Sequence, residues 1–264
     1  MGVCEQPKLG FAPTIYYLPA ALAGPVGDWA APLERARRLG FDHVGLPPLF
    51  ATDRGLTTDF EAANPALGAG DSADGAATRI AELCGRHDCK VAVDIVLDRI
   101  ANHGPAGAAT PAFTSHASAA TLDPRVDPAI RRSLFANLDH PEGRHAFELL
   151  WIDRLSRLAQ SGVATLRLLG LQSVPPVIVA AIIAGVRAAV PCRFLGWTPG
   201  LPWPTLADLA GAGLDGVFAS VPWWDGRASW FVEEHEILRR IAPVIGMAAV
   251  PSEDGAIGHA TNHA

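Results

Sequence analysis

The sequence has little cysteine and no excess of positive charge, and each shortage excludes a class of protein. Its formal net charge is −6 at pH 7, so it lacks the basic footprint of a protein that binds nucleic acid or an anionic membrane. Its four cysteines form no C-x-x-C pair and show no metal-ligand spacing, which predicts reduced thiols in a cytoplasmic protein. They are Cys4, Cys84, Cys89 and Cys192.

A membrane-spanning run is also missing. The longest apolar stretch, residues 177–186, is far shorter than the roughly 20 residues that cross a bilayer, and Arg187 ends it. It therefore predicts a core helix of a soluble protein. The amino terminus has no basic segment followed by an apolar one, and Gln6 stands where a myristoylation signal needs Ser or Thr. We expect neither an export signal nor a lipid anchor there.

What the sequence does contain is an alternation of short β-rich runs with helical patterns, as in a parallel α/β fold. Its 264 residues, 49% of them hydrophobic, match the usual size of one (β/α)8 TIM-type barrel, so we predict a single barrel domain over residues 1–264. The predicted strands are residues 15–18, 43–46, 90–97, 162–171, 193–197, 216–221 and 242–250. The predicted helices include residues 29–39, 73–86, 145–159 and 177–186.

The strand at residues 162–171, GVATLRLLGL, reads as buried on both faces, and Arg167 is its one charge. A charge in such a run needs a partner, so we expect Arg167 to face a carboxylate or an anionic ligand at the strand end. Asp94 is the lone charge within the apolar part of the neighbouring predicted strand, and pairing would offset the desolvation of both groups. An arginine paired purely for structure fits the pattern as well.

Two features depart from a regular barrel. Residues 101–142, between the third and fourth predicted strands, are rich in Ala, Gly, Pro and His and predict an insertion with one short helix at residues 127–135. After residues 242–250 no eighth strand is apparent, and an open barrel exposes two strand edges that must be covered. Either the chain is part of a longer polypeptide, or another segment or chain completes the barrel.

Three phrases in this order, LGFDHVGLPPLF, LCGRHDCKVAVDIVLDRIANHG and GVATLRLLGLQSVP, resemble the α-amylase superfamily, glycoside hydrolase family 13. Within it, LAGPVGDW, FLGWTPGLPWPTLADLAGAGLDGVF, PWWDGRASW and LRRIAPVIG are most similar to bacterial maltosyltransferase-like proteins of glycogen metabolism. The resemblance implies a (β/α)8 barrel with an insertion after the third strand. It also implies a sugar site at the carboxyl ends of the strands.

The family's retaining glycosyl transfer needs a carboxylate nucleophile and a second carboxylic acid about 5 Å apart. Asp94 matches the aspartate of the third-strand motif, but Asp98 and Arg99 stand where the family has Asn-His. On the fourth strand Arg167 matches the family's arginine, and Leu169 occupies the nucleophile position. Leucine cannot attack an anomeric carbon.

The acid of the family pattern is missing as well. The fifth strand should end in a glutamate, and the chain offers only Leu195, Gly196 and Trp197 there. The seventh-strand motif ends in His-Asp, and here Glu253 and Asp254 follow that strand without the histidine. Asp94 and Asp254 are therefore weak catalytic candidates.

These matches predict a degenerate, non-catalytic amylase-type barrel with an α-glucan-binding or structural role in glycogen metabolism. The alternative is an active glycosidase or maltosyltransferase that uses relocated carboxylates. The carboxylates available for relocation are Asp94, Asp98, Glu233, Glu234 and Asp254.

Aromatic faces beside carboxylates are typical of sugar sites. Trp223, Trp224 and Asp225 follow the sixth strand, with Trp203 and Trp230 nearby. The predicted substrate-binding residues are Arg167, Trp197, Trp223, Trp224 and Asp225. The tryptophans would equally suit the outer core or a seam with a neighbouring domain. The expected partner is an α-glucan or maltooligosaccharide. No cofactor is expected, and no metal site, because the spacings of His103, His116, His140 and His145 fit no ligand pattern.

Overall fold

The computed structural model describes residues 12–107, 111–115 and 132–247. Its strands are β1 (Ile15–Tyr17), β2 (His43–Leu46), β3 (Phe50–Asp53), β4 (Leu56–Ala63), β5 (Lys90–Val96), β6 (Arg99–Ala101), β7 (Phe113–Ser115), β8 (Ser133–Ala136), β9 (Val163–Leu169), β10 (Arg193–Gly196), β11 (Gly216–Phe218) and β12 (Val244–Ile245). Its helices are α1 (Ala20–Ala23), α2 (Ala30–Arg38), α3 (Ala73–Gly85), α4 (Pro141–Gln160), α5 (Pro176–Ala189), α6 (Trp203–Asp208) and α7 (Trp230–Leu238).

Seven strands form one parallel sheet in the order β1-β2-β5-β9-β10-β11-β12. Each of the seven strands predicted from the sequence supplies one member. Of the last one, predicted over residues 242–250, Val244–Ile245 is a strand in the described part, and residues 248–250 lie outside it. In the described ranges β1 and β12 are each paired on one side only, so the sheet is a curled, incomplete barrel. The predicted parallel barrel with an incomplete last part is confirmed.

The two faces of the sheet pack against different neighbours, because successive side chains of a strand point to opposite faces. On β9, Leu166 and Leu168 belong to the large core beneath the helices, whereas Leu169 belongs to a separate cluster inside the barrel. Arg167 shares the inward face with Leu169 by the same alternation. The register of β9 therefore decides which of its side chains reach the site.

Local signals explain where the helices begin and end. The Ser72 hydroxyl accepts a hydrogen bond from the Gly75 N–H at 3.2 Å at the start of α3. A proline occupies the first position of both α4 and α5. Gly40 follows α2 with φ 84°, a conformation that favours glycine. The four helices predicted in these regions are confirmed within a few residues, and α4 extends the predicted helix at its amino end.

The longest apolar stretch forms the core of α5, which has 14 residues. Within the described ranges, no helix combines the length and the apolar character needed to cross a membrane.

A hairpin formed by β3 and β4 follows the second barrel strand, and it was not predicted from the sequence. The turn consists of Arg54 (φ 50°) and Gly55 (φ 82°), both in the left-handed region that two-residue hairpin turns require. Arg-Gly is a weaker hairpin signal than Asn-Gly, and register shifts near Ala51 disturb the alternation of the strand. The hairpin follows the carboxyl end of β2 in the chain.

The insertion contains a small antiparallel sheet in the order β6-β8-β7. The predicted helix at residues 127–135 is wrong where it can be compared, because Ser133–Ala136 is the central strand of this sheet. Residues 127–131 lie outside the described ranges. Leu134 pairs with Ile100 and with Ser115, so tertiary strand pairing overrides the local helical pattern.

Candidate functional site

The candidate site lies inside the barrel, at the carboxyl ends of the parallel strands, where barrel enzymes place their chemistry. Two charged residues enter it from adjacent strands. Asp94 on β5 and Arg167 on β9 are register partners in the parallel ladder. Their side chains therefore point inward side by side, with only 8% and 11% of their areas exposed.

Asp94 and Arg167 form a two-pronged ion pair. Arg167 Nε donates to Asp94 Oδ1 at 2.6 Å, and a terminal guanidinium nitrogen donates to Oδ2 at 2.7 Å. The Tyr17 hydroxyl donates a third hydrogen bond to Oδ2 at 3.0 Å. The prediction that Arg167 and Asp94 contact each other is confirmed. The Asp94 carboxylate accepts three hydrogen bonds, and these bonds fix its position beside Arg167 and Tyr17.

Three aromatic rings surround the Arg167 guanidinium. Its central carbon lies 4.9 Å from the ring centre of Tyr17, 4.8 Å from that of Trp197 and 5.3 Å from that of Phe218. These distances are within the range of cation–π attraction. The rings replace water around the cation, and Asp94 supplies the opposing charge. We call Tyr17, Asp94, Arg167, Trp197 and Phe218 the arginine cage.

The cage holds its groups in one protonation state. Burial alone would lower the pKa of Arg167, but the adjacent Asp94 carboxylate raises that pKa above its ordinary value. Burial, reinforced by Asp94, raises the pKa of the Tyr17 hydroxyl far above its ordinary value. Tyr17 therefore stays a hydrogen-bond donor and Arg167 stays a cation. Neither group is poised to exchange a proton near neutral pH.

An apolar layer covers the strand ends beside the cage. Leu169, Leu195, Trp197 and Phe218 form one buried cluster. Ile15 of β1, Ile245 of β12 and Met247, which follows β12, pack against it. Leu169 is 6% exposed and Trp197 is 5% exposed. The Trp197 indole N–H is buried and has no hydrogen-bond partner in the described part of the chain. The positions matched to the family's nucleophile and acid are thus side chains of a packed apolar core.

Asp98 is a second inward carboxyl group, at the point where the chain leaves β5 for the insertion. It is 2% exposed, its Oδ1 has no hydrogen-bond partner among the described residues, and the nearest Arg99 nitrogen lies 3.8 Å away. Burial raises the pKa of Asp98, and Arg99 and the Ser173 hydroxyl oppose that shift. Gly170, with φ 81°, lies directly against this carboxyl group.

Replacing Asp98 with asparagine is expected to stabilise the protein at pH 7, because it removes the cost of keeping a charged carboxyl group buried. Because the folded-state pKa of Asp98 is raised, the folded protein binds the proton more tightly than the unfolded chain. Its contribution to stability is therefore lost as pH rises through the raised pKa. Urea unfolding from pH 4 to pH 8 should show a fall in wild-type stability that Asp98→Asn lacks. Equal pH slopes for the two proteins would contradict this assignment.

The other relocation candidates do not form a free pair in the mouth. Glu234 on α7 is 6% exposed and accepts hydrogen bonds from the Ser220 N–H at 3.0 Å and the Ser220 hydroxyl at 2.6 Å. Glu233 points to solvent from the same helix. Asp254 lies outside the described residues. Among the described candidates, only Asp94 lies in the arginine cage, where Arg167 already binds it.

Exposed tryptophans occupy the rim after β10 and β11. Trp203 begins α6 and is 46% exposed, while Trp223 and Trp224 follow β11 and are 48% and 37% exposed. Trp224 stacks on Phe231 with ring centres 4.7 Å apart and an interplanar angle of 19°. Asp225 Oδ1 accepts the backbone N–H groups of residues 227 and 228. Of the five predicted substrate-binding residues, Trp223, Trp224 and Asp225 are exposed to solvent on the rim. The other two, Arg167 and Trp197, are in the cage.

The histidines do not converge. His103 lies 3.5 Å from the Asp53 carboxylate of the hairpin, whereas His140 and His145 lie at the start of α4. His116 is outside the described residues. No group of three or more His, Cys, Asp or Glu side chains in the described part of the chain is arranged to hold a metal ion.

Two members of the cage were not predicted from the sequence. Tyr17 and Phe218 belong to predicted strands, but neither carries a charge, so neither marks itself as part of a site. Strand alternation is the signal that could have found them. Tyr17 is the register partner of Gly45, whose missing side chain leaves room for the ring, with Tyr17 Cδ2 3.1 Å from where a Cβ would lie.

The chain matches no protein-family model. It is 33% identical over 247 residues to an α-1,4-glucan:maltose-1-phosphate maltosyltransferase from Burkholderia pseudomallei. That similarity covers 90% of this chain but 22% of the relative, so the chain spans about a fifth of the length of that protein.

Solved structures share the fold. An α-amylase from Lactobacillus plantarum superposes with a TM-score of 0.66 at 18% identity, covering 96% of this chain and 65% of the amylase. A cyclic α-maltosyl-(1→6)-maltose hydrolase from Arthrobacter globiformis, in complex with maltose, gives 0.66 at 15% identity, covering 89% and 64% of the two chains. At such identities the likeness concerns the fold alone. The chain thus shares the barrel fold of these α-amylase and maltose hydrolase structures, and its sequence is similar to part of a maltosyltransferase.

Proposed function

We propose that this chain is a catalytically silent α-amylase-type barrel that binds α-glucan within a larger protein of glycogen metabolism. One observation carries the proposal. The strand-end positions that hold the nucleophile and the acid in the family pattern are filled by Leu169 and Trp197, which are buried in one apolar cluster. The barrel architecture of the family is kept, and buried apolar side chains replace its reacting carboxyl groups.

The chemistry gives the reason for silence. Retaining glycosyl transfer develops positive charge at the anomeric carbon and needs two carboxyl groups about 5 Å apart. An apolar wall at Leu169 gives that charge no stabilisation. The Trp197 indole N–H is too weak an acid to protonate a glycosidic oxygen. Loss of both groups removes the covalent route rather than slowing it.

The alternative, an active enzyme with relocated carboxylates, has little support from the described residues. Asp94 is bound by Arg167 and Tyr17, and Asp98 is buried against Gly170. Glu234 is held by both hydrogen-bond donors of Ser220. A carboxylate that attacks an anomeric carbon must be free to meet it, and these three are engaged or enclosed.

The α-glucan role rests on the relative and on the rim. The Burkholderia protein is named for transfer to an α-1,4-glucan, and this chain corresponds to about a fifth of it. Trp223, Trp224 and Asp225 supply exposed aromatic faces and a carboxylate, the groups that hold sugar rings and their hydroxyls. The incomplete barrel leaves edge strands β1 and β12 for a further domain or chain to complete.

A cytoplasmic location is part of the same proposal. The described cysteines Cys84, Cys89 and Cys192 are free. Burial raises the pKa of the Cys84 and Cys192 thiols to about 12, which makes them unreactive core residues.

The proposal predicts no hydrolysis and no maltosyl transfer by the purified chain on α-1,4-glucans or maltose 1-phosphate, together with measurable binding of maltooligosaccharides by calorimetry. The controls are Asp94→Asn and Asp98→Asn, each shown to be folded by circular dichroism. Turnover in the wild type that disappears in either folded variant would establish relocated carboxylates and overturn the silent-barrel assignment.

A further inference from the structure

We infer that the glucan site is an open platform on the rim that binds the interior of an α-1,4-glucan chain and does not require a chain end. The platform consists of Trp203, Trp223, Trp224 and Asp225. This inference rests on the proposed α-glucan binding and specifies which part of the polymer is bound.

The inward side chains at the barrel mouth are packed against one another. A site that selects a chain end needs a closed pocket that receives the terminal sugar. Here the strand ends are occupied by the arginine cage and by Leu169, and the inward groups of β5, β9 and β10 are nearly fully buried. Because these inward side chains already fill the space between them, we place binding at the exposed rings of the rim.

Two contacts hold the Trp224 ring in place. One face of its ring is stacked on Phe231, and its indole N–H donates to the Ala228 carbonyl oxygen at 2.8 Å. The ring is thus fixed before any ligand arrives, and its 37% exposure comes from surface that Phe231 does not cover. A preset aromatic face loses little conformational entropy when a sugar stacks on it.

The exposed tryptophans follow two neighbouring strands of the sheet. Trp203 starts the helix that follows β10, and Trp223 and Trp224 follow β11, the next strand of the sheet. The carboxyl ends of adjacent parallel strands lie at one edge, and α6 packs against α7, which carries Phe231. The exposed rings therefore share one sector of the rim. Exposed rings in one sector can stack on consecutive sugar rings while the glucan chain continues in both directions.

Asp225 is the polar group of the platform. The backbone N–H groups of Ala228 and Arg227 bind Asp225 Oδ1 at 2.9 and 2.8 Å, and they fix the carboxylate directly after the two tryptophans. These same hydrogen bonds lower the pKa of Asp225, so the group is an anionic acceptor at neutral pH. Sugar hydroxyls can donate to the remaining acceptor positions of this carboxylate, whereas a purely apolar protein partner would add no donor.

The test compares two ligands that contain the same number of glucose units, maltoheptaose and β-cyclodextrin, by calorimetric titration. The cyclic ligand has no chain end, so the platform predicts dissociation constants that agree within about threefold. Because a cyclodextrin can also enclose a lone aromatic side chain, a linear maltoheptaoside blocked at both ends is titrated as well. It should bind like the unblocked chain.

Variants locate the site. Trp223→Ala and Trp224→Ala should each raise the dissociation constants of all three ligands about tenfold, because the loss of one stacking ring weakens binding by about that factor. Trp224→Phe keeps the ring stack on Phe231 and should retain part of the affinity. Leu22→Ala, at a side chain 84% exposed on α1, is the matched control and should leave binding unchanged.

The outcomes separate the two proposals. Binding of unblocked maltoheptaose without binding of the blocked or cyclic ligand would overturn the platform and leave α-glucan binding standing. Binding of none of the three would overturn α-glucan binding itself. Undiminished binding in both folded tryptophan variants would place any glucan site elsewhere and would also overturn the platform.

Discussion

Replacing Arg167 with methionine is expected to lower the free energy of unfolding by about 3–5 kcal/mol, the usual cost of removing one partner from a buried ion pair. Methionine fills much of the same volume but leaves the Asp94 carboxylate with the Tyr17 hydroxyl as its remaining hydrogen-bond donor. The three rings of the cage also lose their cation. Urea unfolding monitored by circular dichroism measures the change.

Two comparisons make the result specific. Arg37→Met removes an arginine from the exposed pair with Asp88, whose side chains are 55% and 78% exposed, and should cost less than about 1 kcal/mol. Asp94→Asn combined with Arg167→Met removes both charges and should be more stable than Arg167→Met alone. If Arg167→Met costs no more than Arg37→Met, the cage is not the central support of the barrel interior.

Replacing Gly170 with alanine is expected to cost about 2–4 kcal/mol, from a left-handed backbone strain of about 1 kcal/mol and an overpacking term of about 1–3 kcal/mol. Gly170 has φ 81°, and an added Cβ would lie 2.5 Å from Asp98 Cγ and closer still to Oδ1. Asp98 is itself only 2% exposed, so other atoms enclose its carboxyl group. Thermal and urea unfolding of the variant measure the loss.

The chain contains its own control for the backbone contribution. Gly200 has φ 80°, and no heavy atom lies within 4 Å of an added Cβ, so Gly200→Ala reports the conformational strain alone. Gly170→Ala should be clearly worse, and Asp98→Ala should recover part of the difference in the double variant. Equal losses at the two glycines would mean that the Asp98 carboxyl group does not restrict Gly170.

The barrel sheet could be predicted because its strands are short, mostly apolar runs. Most of them have a glycine or proline close to one end, and such a pattern can be recognised locally. The contact between Asp94 and Arg167 followed from the same logic, since two lone charges in neighbouring buried strands have few partners to choose from. The two small antiparallel sheets could not be predicted this way. Their pairing depends on register across loops, as for Leu134 with Ile100, and not on a local period.

The site divides along the same line. The absence of a carboxylate at Leu169 and Trp197 is visible in the sequence once the family pattern is aligned. That these side chains pack into one apolar cluster with Phe218 depends on how far the sheet curls. The burial of Asp98 beside Gly170 likewise arises from two loops that leave different strands. Sequence patterns indicate which groups are present, and tertiary packing decides which of them ligands can reach.

The most direct test of the central claim uses α-maltosyl fluoride, whose leaving group departs without a protein acid. A nucleophilic carboxylate would form an ester bond to the anomeric carbon as the carbon–fluorine bond breaks and fluoride leaves. Because Leu169 and Trp197 fill the strand ends, we expect no fluoride release above the uncatalysed rate and no maltosyl adduct in the intact mass spectrum. Catalysed fluoride release with a maltosyl group attached to a carboxylate of this chain would contradict the account.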